Sequence, residues 1–149
     1  MSLRIRPAAP VDVPALRALA VRAWRRAGVL PPAESEKAIA EFFNEYSLGA
    51  AVASGRMLVA ERDGALVGLL ESDRPSAGHA AIWRVCVAPE AQRAGVGRAL
   101  VQRCLETLDA PEVRVEHDAR DAVAAAFLER LGFAVSGVEA GTVTRARPR

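Results

Sequence analysis

The sequence predicts a mixed α/β protein, in which one sheet carries helices on both faces. The chain has 149 residues, of which 51% are apolar, so it is long enough to bury a substantial core. Segments with the period of strands alternate with segments of helical period in the order β-α-α-β-β-β-α-β-α-β-β. No repeat, linker or low-complexity segment interrupts this alternation, so we expect residues 1–149 to form a single domain.

The first third of the chain predicts one strand and two helices. Residues 3–8 suit a short strand, and residues 10–27 have apolar side chains at helical spacing up to a stop at Gly28. The segment GVLPP then breaks the chain. Residues 33–52 predict a second helix, either continuous or interrupted.

A hairpin and a third strand follow. The pair Asp63-Gly64 separates the apolar runs 56–61 and 65–71, and Asp-Gly in that position is a strong signal for a tight turn between antiparallel strands. The polar loop SDRPSAGH leads from there into a strand at residues 80–87.

The last third alternates again. A turn with two glycines leads into a predicted helix at about residues 95–108. A strand is predicted at 113–117 and a fourth helix at 119–131, with Gly132 as its stop. The segments FAVSGV and TVTRA predict a closing pair of strands.

Composition excludes several classes of protein. The net charge is only +2, and the arginines near the N-terminus lack interleaved aromatic residues, so no nucleic-acid partner is expected. No apolar run reaches the roughly 18 residues of a membrane span. The N-terminal segment MSLRIRPAAP has no apolar core of a signal peptide, which predicts a cytoplasmic protein. Cys86 and Cys104 lack metal-ligand spacing and predict reduced packing residues, with no metal site.

The segment VCVAPEAQRAGVGRAL carries the clearest chemical signal. Gly95 and Gly97 stand where a helix begins and leaves its first N–H groups unpaired, a place that attracts phosphate. Arg93 and Arg98 add positive charge suited to a diphosphate. The alternative is an ordinary tight turn with two solvated arginines. Two other nucleotide motifs do not fit, because Leu100 occupies the place of the third Rossmann glycine and no Gly-Lys-Ser/Thr follows.

The turn matches the pattern Q/R-x-x-G-x-G, and on this motif the chain resembles the GNAT family of N-acetyltransferases. Three further blocks, IRPAAPVDVPALRALA, LVAERDGALVGLLE and FLERLGF, resemble that family in the same order. The resemblance implies a mostly antiparallel sheet of six or seven strands with about four helices. It also implies direct transfer of an acetyl group from acetyl-CoA to a primary amine, on a small molecule or a protein N-terminus, without a covalent enzyme intermediate.

The same resemblance implies where acetyl-CoA is held. The strand at 80–87 is expected to splay from the strand at 113–117 and to accept the pantetheine arm along its main chain. Val87 is expected to contribute an N–H that polarises the thioester carbonyl. The residues implied for the pantetheine arm are Val85, Cys86 and Val87, and those implied for the pyrophosphate are Gln92, Arg93, Ala94, Gly95, Val96, Gly97 and Arg98. Burial of the two valines in a core is compatible with this role.

The fourth helix departs from the family pattern of Asn, Ala and Tyr. Counting back from Gly132-Phe133 places Asp121, Ala124 and Leu128 at those positions. Asp121 is either a partner of a pantetheine amide or a helix-start residue facing water. Leu128 cannot protonate a departing thiolate, so the usual general acid is missing.

Two carboxylates are candidate general bases for the amine. Glu71 ends the apolar run GLLE and is the first choice, while Glu116 lies on the strand that borders the splay. The alternative for Glu71 is an exposed carboxylate at a strand end. His79 and His117 are expected at the surface.

Four aromatic residues either shape the acceptor pocket or pack in the core: Trp24, Phe43, Tyr46 and Trp83. The sequence does not identify the acceptor and leaves the oligomeric state open between a monomer and a homodimer. A catalytically silent acyl-CoA-binding module is the alternative function, since the usual tyrosine is absent.

Overall fold

The computed structural model describes residues 2–73 and 78–149. The strands over these residues are β1 (Leu3–Pro7), β2 (Met57–Arg62), β3 (Ala65–Ser72), β4 (His79–Val87), β5 (Glu112–Asp118), β6 (Ala134–Glu139) and β7 (Thr142–Pro148). The α-helices are α1 (Val13–Ala27), α2 (Pro32–Phe42), α3 (Glu45–Ala53), α4 (Val96–Thr107) and α5 (Ala122–Arg130). Part of the predicted polar loop, residues 74–77, lies outside the described residues.

All seven strands form one sheet in the order β1-β2-β3-β4-β5-β7-β6. Every neighbouring pair is antiparallel except β4 and β5, which are parallel. The mostly antiparallel mixed sheet is therefore confirmed. Among the described residues, no helix is both long and apolar enough to cross a membrane.

The described residues form five α-helices instead of the expected four, because the second predicted helix is interrupted. Helix α2 ends at Phe42, and Asn44 begins α3 by accepting a hydrogen bond from the Ser47 N–H at 2.8 Å. An asparagine whose side chain caps a helix favours a new start over a continuous helix. The predicted hairpin is confirmed, since Asp63 and Gly64 both have positive φ and β2 pairs antiparallel with β3.

Helices cover both faces of the sheet. Adjacent residues of a strand point to opposite faces. Arg84 of β4 donates to the main-chain oxygen of Phe42 at the end of α2, whereas Val87, three residues later, lies beside Gly97 of α4. Helix α4 packs closely because Gly68 of β3 has no side chain; a Cβ there would lie 2.7 Å from the Val96 Cγ1 atom.

The parallel pairing of β4 with β5 stops early. It runs from His79 opposite Glu112 to Ile82 opposite Val115, although both strands continue. On its other side, β4 shifts register with β3, because Arg84 faces Glu71 while Ile82 faces Ser72. Trp83 is the extra residue of this β-bulge, and bulges bend a strand. We call the opening between residues 83–87 of β4 and residues 116–118 of β5 the wedge.

Candidate functional site

The turn before α4 presents exposed main chain at one end of the wedge. Arg93 and Gly95 have φ values of 65° and 80°, so two left-handed residues fold residues 92–95 tightly against the helix start. The side-chain amide of Gln92 donates to the Val87 carbonyl oxygen at 3.4 Å, which ties the turn to the end of β4. Residues 92–95 and Arg98 are exposed. Unpaired N–H groups of a helix start and two arginines therefore face solvent together, an arrangement suited to an anion.

The two glycines of this turn are required for different reasons. Gly95 has positive φ, and a Cβ on it would meet nothing within 4 Å. Gly97 is buried, and a Cβ on it would lie 3.2 Å from the Phe127 Cζ atom and 3.5 Å from the Val87 Cγ2 atom. Phe127, which the sequence pattern did not single out, therefore packs α5 against the first turn of α4. Val96 is also buried there.

The predicted pantetheine segment lies on the open part of β4. Val85, Cys86 and Val87 are half-buried, pack against the core and face the wedge with the strand edge that β5 leaves unpaired. Burial raises the pKa of the Cys86 thiol to about 11, and it does the same for Cys104, which is a core residue. Core packing and an available main chain thus coexist on this strand.

Asp121 begins α5. Its carboxylate accepts a hydrogen bond from the Ala124 N–H at 3.0 Å, which is the usual role of an N-cap residue. Asp121 and Ala124 are both half-buried, and neither is fully turned to water. Leu128 is 3% exposed and belongs to the core, so the residue at the family's tyrosine position packs rather than faces the wedge.

Glu71 is the centre of a buried ion-pair cluster. Its carboxylate is 2.7 Å from the Arg84 Nε atom and 3.6 Å from an Arg56 nitrogen, and the residue is 6% exposed. Arg84 also donates to the Phe42 carbonyl oxygen at 2.8 Å and lies 4.9 Å from the centre of the Phe43 ring. The cluster joins β3 and β4 to the end of α2, so Glu71 has a structural role that the sequence did not indicate.

Glu116 lies at the wedge. It directly follows Val115, the last residue of β5 that pairs with β4, and its neighbour on β7 is Thr144. The residue is exposed, and no described residue forms an ion pair or hydrogen bond with its carboxylate. Asp118, two residues further along β5, has a charged partner: hydrogen bonds from Arg120 lower the pKa of the Asp118 carboxyl group to about 2.

A cleft of about 550 Å³ opens beside the wedge. Its walls include Ala81 and Trp83 of β4, Arg114 and Glu116 of β5, and Thr142 and Thr144 of β7. The indole of Trp83 is 59% exposed, so this residue lines the cleft instead of packing in the core. Glu71 is not part of these walls.

Both histidines are half-buried and line the cleft. The His117 Nε2 atom accepts a hydrogen bond from Arg145 at 3.0 Å, and its Nδ1 atom lies 2.9 Å from the Asp118 carbonyl oxygen. This pattern requires a neutral ring with the proton on Nδ1. Arg145 is buried and also donates to the Phe133 carbonyl oxygen at 3.1 Å, so the pair anchors the open end of β5. His79 lines the cleft, with its Nδ1 atom buried.

The four aromatic candidates divide into two groups. Trp24 and Phe43 pack edge to face, with ring centres 5.5 Å apart, and Phe43 is buried. Tyr46 is 88% exposed at the start of α3, and Trp83 is in the cleft. Of these four residues, only Trp24 and Phe43 pack in the core.

Comparison with known proteins identifies one family. The model of the acetyltransferase (GNAT) family matches residues 13–133. The chain is similar over its full length to the whole PaiA N-acetyltransferase from Thermoplasma acidophilum in complex with coenzyme A, with a TM-score of 0.93 and 21% identity. It is also similar to the ribosomal-protein-S18-alanine N-acetyltransferase from Escherichia coli, with a TM-score of 0.72, 21% identity and coverage of 99% of this chain and 94% of that one. No curated protein sequence matches the chain.

Proposed function

The chain belongs to the acetyltransferase (GNAT) family, and from this premise we propose that it transfers an acetyl group from acetyl-CoA directly to a primary amine. The observation that carries the proposal is the wedge, which has the glycine turn at one end and a cleft lined by the Glu116 carboxylate beside it. Acetyl-CoA could enter from the glycine turn along the wedge and the amine could enter through the cleft, so that the thioester and the amine meet. A small-molecule amine and a protein N-terminus are both acceptors of the proposed kind.

The residues present fit acetyl-CoA. The pantetheine arm would lie along the unpaired edge of β4 at Val85, Cys86 and Val87, as an added strand would. The pyrophosphate would be held by the main-chain N–H groups of residues 93–98, with Arg93 and Arg98 beside it. When bound, acetyl-CoA supplies an activated thioester carbonyl. A main-chain N–H near Val87 would stabilise the negative charge that develops on its oxygen.

The geometry favours Glu116 over Glu71 as the general base, and both remain candidates. Glu116 is exposed at the wedge, where it can take the proton that an ammonium group must lose before the nitrogen attacks. Glu71 is enclosed between Arg84 and Arg56 on the far side of β4 from β5. We propose that Glu71 positions Arg84 and, through it, the bulged part of β4.

Transfer without a covalent enzyme intermediate agrees with the nucleophiles available. The Cys86 thiol has a raised pKa and therefore little thiolate at neutral pH. His117 cannot act as its base, since both ring nitrogens are engaged. Leu128 is a buried apolar residue and cannot act as a general acid, so we propose that water protonates the departing thiolate.

A catalytically silent acyl-CoA-binding module is the second candidate, because a core leucine occupies the family's tyrosine position. The test combines two measurements on the purified protein: calorimetry with acetyl-CoA and CoA, and thiol release with a panel of primary amines. We expect binding and amine-dependent thiol release. Binding without thiol release for any amine would establish the silent module, and the absence of binding would overturn both functions.

A further inference from the structure

The cleft places an indole beside a carboxylate. Ile82 and Val115 are the last paired residues of β4 and β5, so Trp83 and Glu116 are the next residues of two parallel strands, at the narrow end of the wedge. Both line the cleft. Trp83 owes its position to the β-bulge, which inserts it between the residues that face Glu71 and Ser72. A large apolar side chain that is 59% exposed beside a carboxylate is suited to ligand binding.

The charges around the cleft select the kind of ligand. Arg114 forms an ion pair with Glu112, and Asp118 forms one with Arg120. Glu116, in contrast, has no ion-pair partner among the described residues. A cation is therefore favoured next to Glu116, whereas a carboxylate on the ligand would have to compete with Glu112 for Arg114.

The remaining walls add apolar surface and hydroxyl groups. Ala81 continues the apolar surface of Trp83 along β4, and Thr142 and Thr144 of β7 face the same space with groups that can donate or accept a hydrogen bond. Flat aromatic rings stack on an indole, and an ammonium group is also attracted to its face. The walls thus suit a flat apolar body attached to an ammonium group.

We propose that the acceptor is an arylalkylamine, an aromatic ring joined by a short alkyl chain to a primary amine, and that Trp83 is the residue that selects it. This inference rests on the proposed acetyl transfer. Trp83 stacks on the ring, and the Glu116 carboxylate pairs with the ammonium group and then takes its proton. The amine nitrogen bonds to the thioester carbon, the carbon–sulfur bond breaks, and the electron pair leaves on the sulfur of CoA. The second proton of the nitrogen passes through water to that thiolate, and the proton held by Glu116 goes to solvent, so the products are an N-acetyl amine and CoA.

The test compares three primary amines with acetyl-CoA as donor: phenethylamine, n-butylamine and phenylalanine. We expect kcat/KM for phenethylamine to exceed that for butylamine by about tenfold or more, because butylamine lacks both the contact of the ring with Trp83 and the apolar area that the ring buries. Phenylalanine, which adds a carboxylate, is expected to be at least as poor as butylamine. In Trp83→Leu the ratio of phenethylamine to butylamine should fall to near one, and in Trp83→Phe it should persist. The matched control is Tyr46→Leu, which removes an exposed aromatic ring outside the cleft and should leave the ratio unchanged.

Binding of the same amines to the CoA-loaded protein, measured by calorimetry, separates this inference from the proposed function. Aromatic selectivity in binding without turnover would support the acceptor class and overturn the acetyl transfer. Turnover of amines with a ratio near one in the unmodified protein, or a ratio that survives Trp83→Leu, would overturn the arylalkylamine inference alone. A preference for phenylalanine over phenethylamine would overturn it as well.

Discussion

Ile82 and Val115 form the last residue pair that joins β4 to β5, and beyond them the two strands continue apart. The separation is built into the backbone, because the β-bulge at Trp83 bends β4 at that point. The proposed sites for the pantetheine arm, the general base and the acceptor all lie in the residues just past this pair.

The general base can be tested by removing the charge of Glu116. We expect Glu116→Gln to lower kcat/KM by about 10²-fold, because the variant loses the group that accepts the proton of the amine. Stability should change little, because the Glu116 side chain is exposed and no described residue pairs with its carboxylate. Glu71→Gln is the comparison and should lower the melting temperature, since it breaks the ion pair with Arg84. An unchanged pH–rate profile in Glu116→Gln, together with a large loss of kcat in a folded Glu71→Gln protein, would assign the base to Glu71.

The anion site can be tested at Gly95. Gly95 and Gly141 have nearly the same φ, 80° and 81°, and a Cβ on either would meet nothing within 4 Å. Gly95→Ala and Gly141→Ala should therefore cost similar stability, about 1 kcal/mol. Only Gly95→Ala should also weaken acetyl-CoA binding, by tenfold or more in calorimetry, because it distorts the turn that presents the N–H groups. Equal affinities in the two variants would argue against a diphosphate at this turn.

The contact between Gly97 and Phe127 predicts a coupled pair of variants. Gly97→Ala should gain about 1 kcal/mol of helix propensity and lose about 1 to 3 kcal/mol to the tight contact of the new methyl group, 3.2 Å from the Phe127 Cζ atom, so we expect a small net destabilisation. Phe127→Leu removes the ring, so the double variant should lose less stability than the sum of the single variants. Denaturant unfolding of all three variants measures this. Strict additivity would show that the cost of Gly97→Ala has another origin.

The missing general acid predicts small effects at two positions. Tyr46, the one tyrosine in the sequence, is 88% exposed, and Tyr46→Phe should leave kcat within about threefold. A thiol has an ordinary pKa of about 8.5, so water can protonate the departing thiolate at little cost. Leu128→Tyr should not raise kcat and should destabilise the fold by about 1 to 3 kcal/mol, since the site is buried. A 10²-fold loss in Tyr46→Phe at unchanged acetyl-CoA affinity would show that the acid has moved to α3.

The ion pair of Asp118 and Arg120 predicts a dependence of stability on pH. Because the pKa of Asp118 is lowered to about 2 in the folded protein, the pair stabilises the fold above the ordinary aspartate pKa of about 3.9, and this contribution is lost as the pH falls through 2. Arg120→Gln should therefore be less stable than the unmodified protein at pH 6, with the difference disappearing near pH 2. The side chains are partly exposed, so the difference should be small. A difference that does not change with pH would contradict the assignment.

Local signals in the sequence were sufficient for the elements and for the glycine turn. Asp63-Gly64 predicts its hairpin because type I′ turns need two residues that accept positive φ, and both adopt it. The motif around Gly95 predicts a helix start for the same kind of local reason, and α4 begins at Val96. The resemblance to the family then implied that the strand at 80–87 lies beside the strand at 113–117 and splays from it, which periodicity alone does not encode.

Contacts that depend on register between distant strands were not predictable. The Glu71–Arg84 pair requires β3 and β4 to meet at one register, and the bulge at Trp83 alters that register within two residues. The bond from Arg145 to His117 depends in the same way on how β7 lies against β5. Periodicity does not mark this bulge in advance, because the segment AAIWRVCV is apolar at nearly every position, and an inserted residue changes only the phase of an alternation that the segment hardly shows.

The short ladder between β4 and β5 also divides the sheet into two mechanical halves. Four residue pairs connect β1–β4 to β5–β7, whereas seven pairs join β5 to β7. Amide hydrogen exchange should therefore detect the two halves as separate cooperative units, with the easiest opening at this seam. A cosubstrate that lies along β4 would fill the gap between the two halves and hold them together, in addition to reacting. Saturating acetyl-CoA, at about 100 times its Kd, should add about 2.7 kcal/mol to stability and merge the two units into one.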